Sequence, residues 1–141
     1  MIPNFRYIRP ETLKDTVGHL QEAEARVHAG GTDLLPCFRE GIFGADQVVS
    51  LSALKGMKGV KKRVDGGLRI GALTTITEIA ESDLVQEDYS ALAQAAAEVA
   101  SPQIRNQGTI GGNLCQKPRC WYYRGEFHCL RRSEERRVGK E

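Results

Sequence analysis

The sequence carries almost no excess charge: 20 Lys and Arg stand against 18 Asp and Glu, a formal net charge of +2. With no strong field of one sign, nothing in the composition points to nucleic acid or to an anionic membrane surface. A long oily run is missing as well. The most apolar stretch, ALAQAAAEVA at residues 91–100, is far shorter than the roughly 20 residues a membrane span requires. The opening MIPNFRYIRP has no apolar segment of the secretory-signal kind, so the chain is expected to be cytoplasmic, without membrane insertion. There the four cysteines are expected to stay reduced, as structural or metal-binding thiols rather than disulfides. Internal repeats and low-complexity tracts are absent. So are the standard nucleotide signatures: no G-x-x-x-x-G-K-[ST], and no G-x-G-x-x-G after a strand. No acid–base pair stands out. His19 falls on an expected helix and His28 in an expected strand, neither with an obvious carboxylate partner, and no Ser-His-Asp order is present.

What remains is a globular composition, 40% apolar and 27% charged over 141 residues, enough for one domain of ordinary size. Alternation of Phe5, Tyr7 and Ile8 with Arg6 and Arg9 predicts a strand. Thr12 to Asp15 fits a capping box opening a helix, whose stripe of Leu13, Val17 and Leu20 is expected to face a core. A strand over Arg26–Ala29 breaks at Gly30-Gly31, a short helix follows with Thr32 or Asp33 near its start, and Gln47–Leu51 is β-rich. The alternation predicts an α/β unit of about 55 residues. A glycine- and lysine-rich crossing, residues 56–67, contains the hairpin signal Asp65-Gly66-Gly67 and leads into a strand through GLRIGALTT. Ile76, Ile79 and Ala80 mark one helix. Leu92, Ala95, Ala96 and Val99 mark a clearer one, ended by Pro102.

Two glycine-rich stretches invite a ligand. In AGGTDLL (29–35), glycines permit positive φ and close approach of a ligand to the backbone, so successive N–H groups can converge on an anion. The same stretch also reads as a plain strand-to-helix turn with Thr32 or Asp33 as N-cap. GTIGGN (108–113) is the second, and also reads as a β-turn or bulge. A diphosphate is long enough to be held from two sides, which makes the pair more informative than either alone.

Cys37 reads as a small core residue. Cys115, Cys120 and Cys129 crowd together in a metal-like way, but three thiols are an incomplete set for structural zinc or an iron–sulfur cluster, and His128 is an awkward fourth ligand beside Cys129. Unligated thiols beside an aromatic patch fit the spacing equally well. Trp121, Tyr122 and Tyr123, between Arg119 and Arg124, read as packing or partner surface rather than a nucleobase platform.

Taken together and in order, AGGTDLLP, RIGALTT and IRNQGTIGGNLCQKPRCWYYR resemble the FAD-binding medium subunit of the molybdenum hydroxylases: carbon monoxide, xanthine and aldehyde dehydrogenases and 4-hydroxybenzoyl-CoA reductase. The likeness covers residues 1–131. It implies an α/β (α+β) fold, the FAD-binding domain of the vanillyl-alcohol oxidase-like (PCMH) type. Two α/β subdomains are expected, 1–57 and an incomplete 58–131, with the chain truncated before a C-terminal domain. It implies FAD held by Ala29, Gly30, Gly31, Thr32 and Asp33 from one subdomain and by Thr109, Ile110, Gly111, Gly112 and Asn113 from the other. Leu73 and Thr74 would lie along the flavin or its ribityl chain. Mainly backbone amides, rather than a lysine or a metal, would neutralise the diphosphate. In some members a 4Fe–4S cluster has its first ligands where Cys120 and Cys129 stand here, with Cys115 non-ligating. The implied function is an electron-transfer subunit, passing electrons from 2Fe–2S centres in a small subunit to FAD and on to an acceptor, beside a molybdopterin-binding large subunit. A non-redox metal- or nucleotide-binding module and a non-functional truncated fragment are the alternatives. Residues 132–141, RSEERRVGKE, resemble the translation of a sequencing-adapter oligonucleotide and are expected to be non-native; without them the net charge is +1.

Overall fold

The computed structural model describes residues 2–22, 24–125, 127 and 129. The expected non-native tail and His128 lie outside them. The first part of the chain runs β1 (Arg6–Ile8), α1 (Leu13–Leu20), β2 (Ala25–His28), α2 (Leu34–Arg39) and β3 (Gln47–Ser50). The three strands form one parallel sheet in the order β1-β3-β2, with Tyr7 opposite Val48 and Val27 opposite Val49. A strand flanked on both edges and covered on its faces reads as a continuous buried run, and all four residues of β3 are buried. Buried Gln47 is satisfied at both ends of its amide: its oxygen accepts from Arg6, and its Nε2 donates to the His19 carbonyl at 2.9 Å. Phe38, Ala45 and Val48 form the core here, with Phe38 packed between Phe5 and Phe43.

Helix α1 starts as expected, the Thr12 hydroxyl accepting from the Asp15 amide at 3.1 Å. Its face differs from expectation. Leu13 and Val17 are 61% and 49% exposed, while Thr16 is buried at 2%. The helix is turned to set its Thr16 edge inward, which it can do because that hydroxyl donates to the Thr12 carbonyl at 2.8 Å and carries no unmet polar atom inside.

The remainder runs β4 (Val60–Lys62), β5 (Leu68–Ile70), α3 (Ile76–Ala80), α4 (Asp83–Asp88), α5 (Ser90–Ala97), α6 (Pro102–Gln107), α7 (Ile110–Cys115) and α8 (Trp121–Arg124). β4 and β5 make the expected antiparallel hairpin, its turn taking Gly66 to φ +84°. The strand predicted through Thr75 ends at Ile70. There Gly71 passes so close to the Met57 carbonyl that a Cβ would lie 2.4 Å from its oxygen. Residues 72–76 then run against 108–111, an exchange of main-chain bonds rather than a regular ladder: Gly111 N–H to the Ala72 carbonyl, Ile110 N–H to Thr74, and Ile76 N–H to Gly108, each 2.9 Å. Ile76, Ile79, Val85, Ala93 and Ala96 form the second core, and Ile110 packs against it. On α5 the buried residues are Ala93 and the expected Ala96, while Ala95 is exposed. Pro102 opens α6, with Ser101 as N-cap, instead of merely closing the helix before it.

The second glycine stretch is not a loop. Thr109 caps α7 and both glycines lie inside the helix. Glycine's low helix propensity hides this element from the sequence. Among the described residues no helix is long and apolar enough to cross a membrane.

Candidate binding cleft

The two glycine stretches meet. Gly30 abuts the Gln107 carbonyl so closely that a Cβ would fall 1.9 Å from the oxygen, and Gly108 lies beside the Thr32 hydroxyl. Along this seam runs a cleft of about 960 Å³ lined by both Gly31 and Gly112. Of the residues expected at a cofactor, Ala29, Gly30, Gly31, Thr32, Asp33, Leu73, Thr109, Gly111, Gly112 and Asn113 line it. Ile110 faces the second core instead. Thr74 is fully buried, its hydroxyl accepting from the Gly59 amide at 2.8 Å and donating to the Gly59 carbonyl at 3.2 Å. Both act as scaffold: through their main-chain bond they hold α7 against residues 72–76.

The supply of amide donors is unequal. On the α7 side every early N–H is already engaged. Ile110 donates to Thr74, Gly111 to Ala72, Gly112 to the Thr109 hydroxyl at 3.2 Å, and Asn113 to the Thr109 carbonyl at 2.9 Å. On the other side the N–H groups of Gly30, Gly31, Thr32 and Asp33 have no acceptor among the described residues. Donors for an anion therefore come from residues 30–33. The α7 side contributes space, since a Cβ on Gly112 would meet only Thr109 Oγ1, at 3.1 Å, and the side-chain amide of Asn113.

Gly31 holds its turn at φ +73°, in the left-handed region that favours glycine. Beneath it lies the His28 ring; a Cβ on Gly31 would fall 2.7 Å from Nε2. His28 Nδ1 is buried with no partner among the described residues, and burial pushes the imidazole pKa below its usual 6.5.

Asp33 occupies the N-cap of α2, yet its side chain makes no capping bond. Its carboxylate is taken by two arginines from the far end of the described chain. Arg124 Nη2 reaches both oxygens at 2.9 and 3.2 Å, and Arg119 Nε reaches Oδ1 at 3.1 Å. Arg124 also donates to Cys37 Sγ at 3.2 Å and to the Pro118 carbonyl at 2.9 Å. Burial opposes the Arg124 charge, but its bonds to Asp33 outweigh that and raise its pKa. This pairing folds residues 116–119 over the cleft as one of its walls. The sequence marks both arginines only as flanks of an aromatic patch.

The rest of the lining is apolar, with Val27, Phe43, Leu51, Ile76, Val99 and Ile104 prominent. Asp33, Cys115, Lys117 and Arg119 are the titratable groups along it, and they make no acid–base dyad. The cleft is built to hold an elongated ligand with an anionic segment and flat apolar parts. Of the cysteines, Cys37 is buried, Cys115 and Cys120 are exposed and Cys129 is half-buried. No three His, Cys, Asp or Glu side chains gather as a metal site among the described residues.

A family profile described as the FAD binding domain in molybdopterin dehydrogenase matches residues 3–120. The xanthine dehydrogenase FAD-binding subunit of Escherichia coli O157:H7 is 38% identical over 110 residues, 77% of this chain and 38% of that one. The carbon monoxide dehydrogenase medium chain of Hydrogenophaga pseudoflava is 31% identical over 114 residues, 79% of this chain and 39% of that one. The solved carbon monoxide dehydrogenase from the same organism superimposes with a TM-score of 0.75 at 30% identity, over 81% of this chain and 40% of that chain. Quinoline 2-oxidoreductase from Pseudomonas putida 86 gives a TM-score of 0.76 at 28% identity, with the same coverage. The chain thus spans about two fifths of the length of the curated relatives it matches.

Proposed function

The chain belongs to the family of FAD binding domains in molybdopterin dehydrogenases, and on that premise we propose that it is the flavin-holding part of an electron-transfer subunit of a molybdenum-dependent dehydrogenase. The observation that carries the proposal is the single cleft shared by Gly31 and Gly112, with the amides of residues 30–33 unpaired along one wall. FAD fits this chemistry: an anionic diphosphate for those amides and flat apolar rings for the remaining lining. In this reading residues 1–57 and 58–131 are the two FAD-binding subdomains, and the seam between Gly30 and Gln107 is where they close.

FAD, when bound, supplies the redox chemistry, accepting electrons singly or in pairs. The work of this chain is to bind and orient it. Residues 30–33 donate to the anionic segment, Asn113 adds an amide from the opposite wall, and Leu73 with the neighbouring apolar lining excludes water. A scarcity of acid–base side chains suits that task. Electrons would arrive from 2Fe–2S centres in a small subunit, after substrate oxidation at the molybdopterin cofactor of a large one. Two such partners accord with the relatives' description as medium chains and FAD-binding subunits. Cys120 and Cys129 would be the first two ligands of a 4Fe–4S cluster in a longer protein, with the remaining ligands outside this sequence.

The test is spectroscopic. The full chain, purified and titrated with FAD, is expected to take up one equivalent with quenched flavin fluorescence, and Gly31→Val to abolish it. A purified protein that shows no flavin band and binds no added FAD would rule the function out.

A further inference from the structure

Two guanidinium groups face one carboxylate at the mouth of the cleft. Arg124 is 14% exposed and fully occupied by Asp33, Cys37 and the Pro118 carbonyl. It meets both Asp33 oxygens and is enough to neutralise that charge by itself. Arg119 is 49% exposed. Beyond its bond to Asp33 Oδ1, its other polar contact among the described residues is a long one, 3.5 Å from Nη2 to the Thr32 carbonyl. It lines the cleft, whereas Arg124 does not. The trio of Asp33, Arg119 and Arg124 therefore carries one surplus positive charge. That charge resides on the more exposed arginine, beside the unpaired amides of residues 30–33.

We propose that Arg119 is the cation that meets the cofactor's diphosphate, moving off Asp33 as the ligand enters while Arg124 keeps Asp33 paired. The exchange leaves no bare charge behind. Asp33 keeps Arg124, whose Nη2 meets both of its oxygens, and the Arg119 guanidinium trades half of a shared carboxylate for a full anion, to which its planar fork can bond twice. The Asp33 carboxylate is then a positioning group: it holds Arg119 at the cleft mouth before loading, and only the residue's main-chain amide faces the ligand. Amides on residues 30–33 would then share the diphosphate with one arginine.

This inference rests on the FAD reading above, and the experiment separates the two. Flavin-free full chain is titrated with FAD, with riboflavin, which lacks the diphosphate, and with ADP, which retains it. Arg119→Met should weaken FAD and ADP about ten- to hundredfold, the worth of one charged hydrogen-bonding contact. Riboflavin affinity should be unchanged, and the salt dependence of FAD binding should flatten. Arg119→Lys, which keeps the charge without the fork, should recover part of the loss. It decides the matter should Arg119→Met fail to fold. Equal weakening of riboflavin and FAD, an Arg119→Met variant with wild-type FAD affinity, or a larger loss in Lys117→Met than in Arg119→Met would each overturn the assignment. A wild-type chain that binds no FAD at all would instead overturn the function on which it rests.

Discussion

Gly30 and Gln107 touch backbone to backbone, at a distance that would put a Cβ on the glycine 1.9 Å from the glutamine's carbonyl oxygen. A flexible side chain could move aside; a main-chain carbonyl at the end of α6 cannot do so without shifting the helix. Gly30→Ala is therefore expected to destabilise the chain by at least about 1–3 kcal/mol, the usual range for overpacking a tight contact. It should also spread the two walls of the cleft. Chemical denaturation and FAD titration of the same variant check both parts, and a variant as stable as wild type would refute the seam.

Gly31 and Gly112 should separate cofactor binding from folding. Gly31→Ala faces both a left-handed backbone and the His28 ring, and should cost about 1–2 kcal/mol from the backbone alone. Gly112→Ala sits within a helix, near only Thr109 Oγ1. It should leave the melting temperature unchanged or slightly raised, because alanine is the better helix former by about 1 kcal/mol. Both variants should bind FAD more weakly. A Gly112→Ala protein that binds FAD normally would show that the cofactor does not approach α7.

Removing the Asp33 carboxylate strands a mostly buried guanidinium. Asp33→Ala leaves Arg124, 14% exposed, without its counter-charge, and is expected to cost about 3 kcal/mol. The double variant with Arg124→Met should be more stable than Asp33→Ala alone, since the stranded charge is then gone. A thermodynamic cycle on the pair measures the coupling; additive losses would mean the clamp holds nothing together.

His28 gives the fold a pH dependence. Its pKa is lowered in the folded protein by burial, so the unfolded chain binds the extra proton more readily. The associated stability is present above the unfolded pKa, about 6.5, and is lost as pH falls from there toward the lower folded value. Stability measured between pH 8 and 5 should decline below about 6.5, and His28→Phe should flatten that part of the profile. An unchanged profile in the variant would exclude His28 as the source.

The parallel sheet is legible because its strands are short β-rich runs separated by strong breakers, Gly30-Gly31 above all. Its three-dimensional consequences were less so. The spacing of Leu13 and Val17 is that of an inward face, yet Thr16 is the residue turned in, because an internal hydrogen bond makes threonine as acceptable there as an apolar side chain. Helix α7 was hidden by Gly111 and Gly112, whose own preferences oppose a helix; what winds them is the Thr109 cap and the bonds from residues 72–76, all tertiary or cap effects. The full capping box at Thr75 and Glu78 is readable from Thr-Ile-Thr-Glu at the start of the expected helix, although its capping threonine also ends the expected strand. For the site, the glycines announced themselves by composition. The arginines did not, since Arg124 and Asp33 stand 91 residues apart and no local pattern links them.

That separation has a consequence in time. The carboxylate near the start of the chain waits for a guanidinium made about ninety residues later, and the wall formed by residues 116–119 cannot settle until it arrives. Long loops close slowly relative to local structure. On a ribosome, the early βαβαβ unit can fold first, but the chamber beside it stays open to water until nearly all of this segment has emerged. Flavin capture thereby waits on Arg124, after the early unit has committed to its topology.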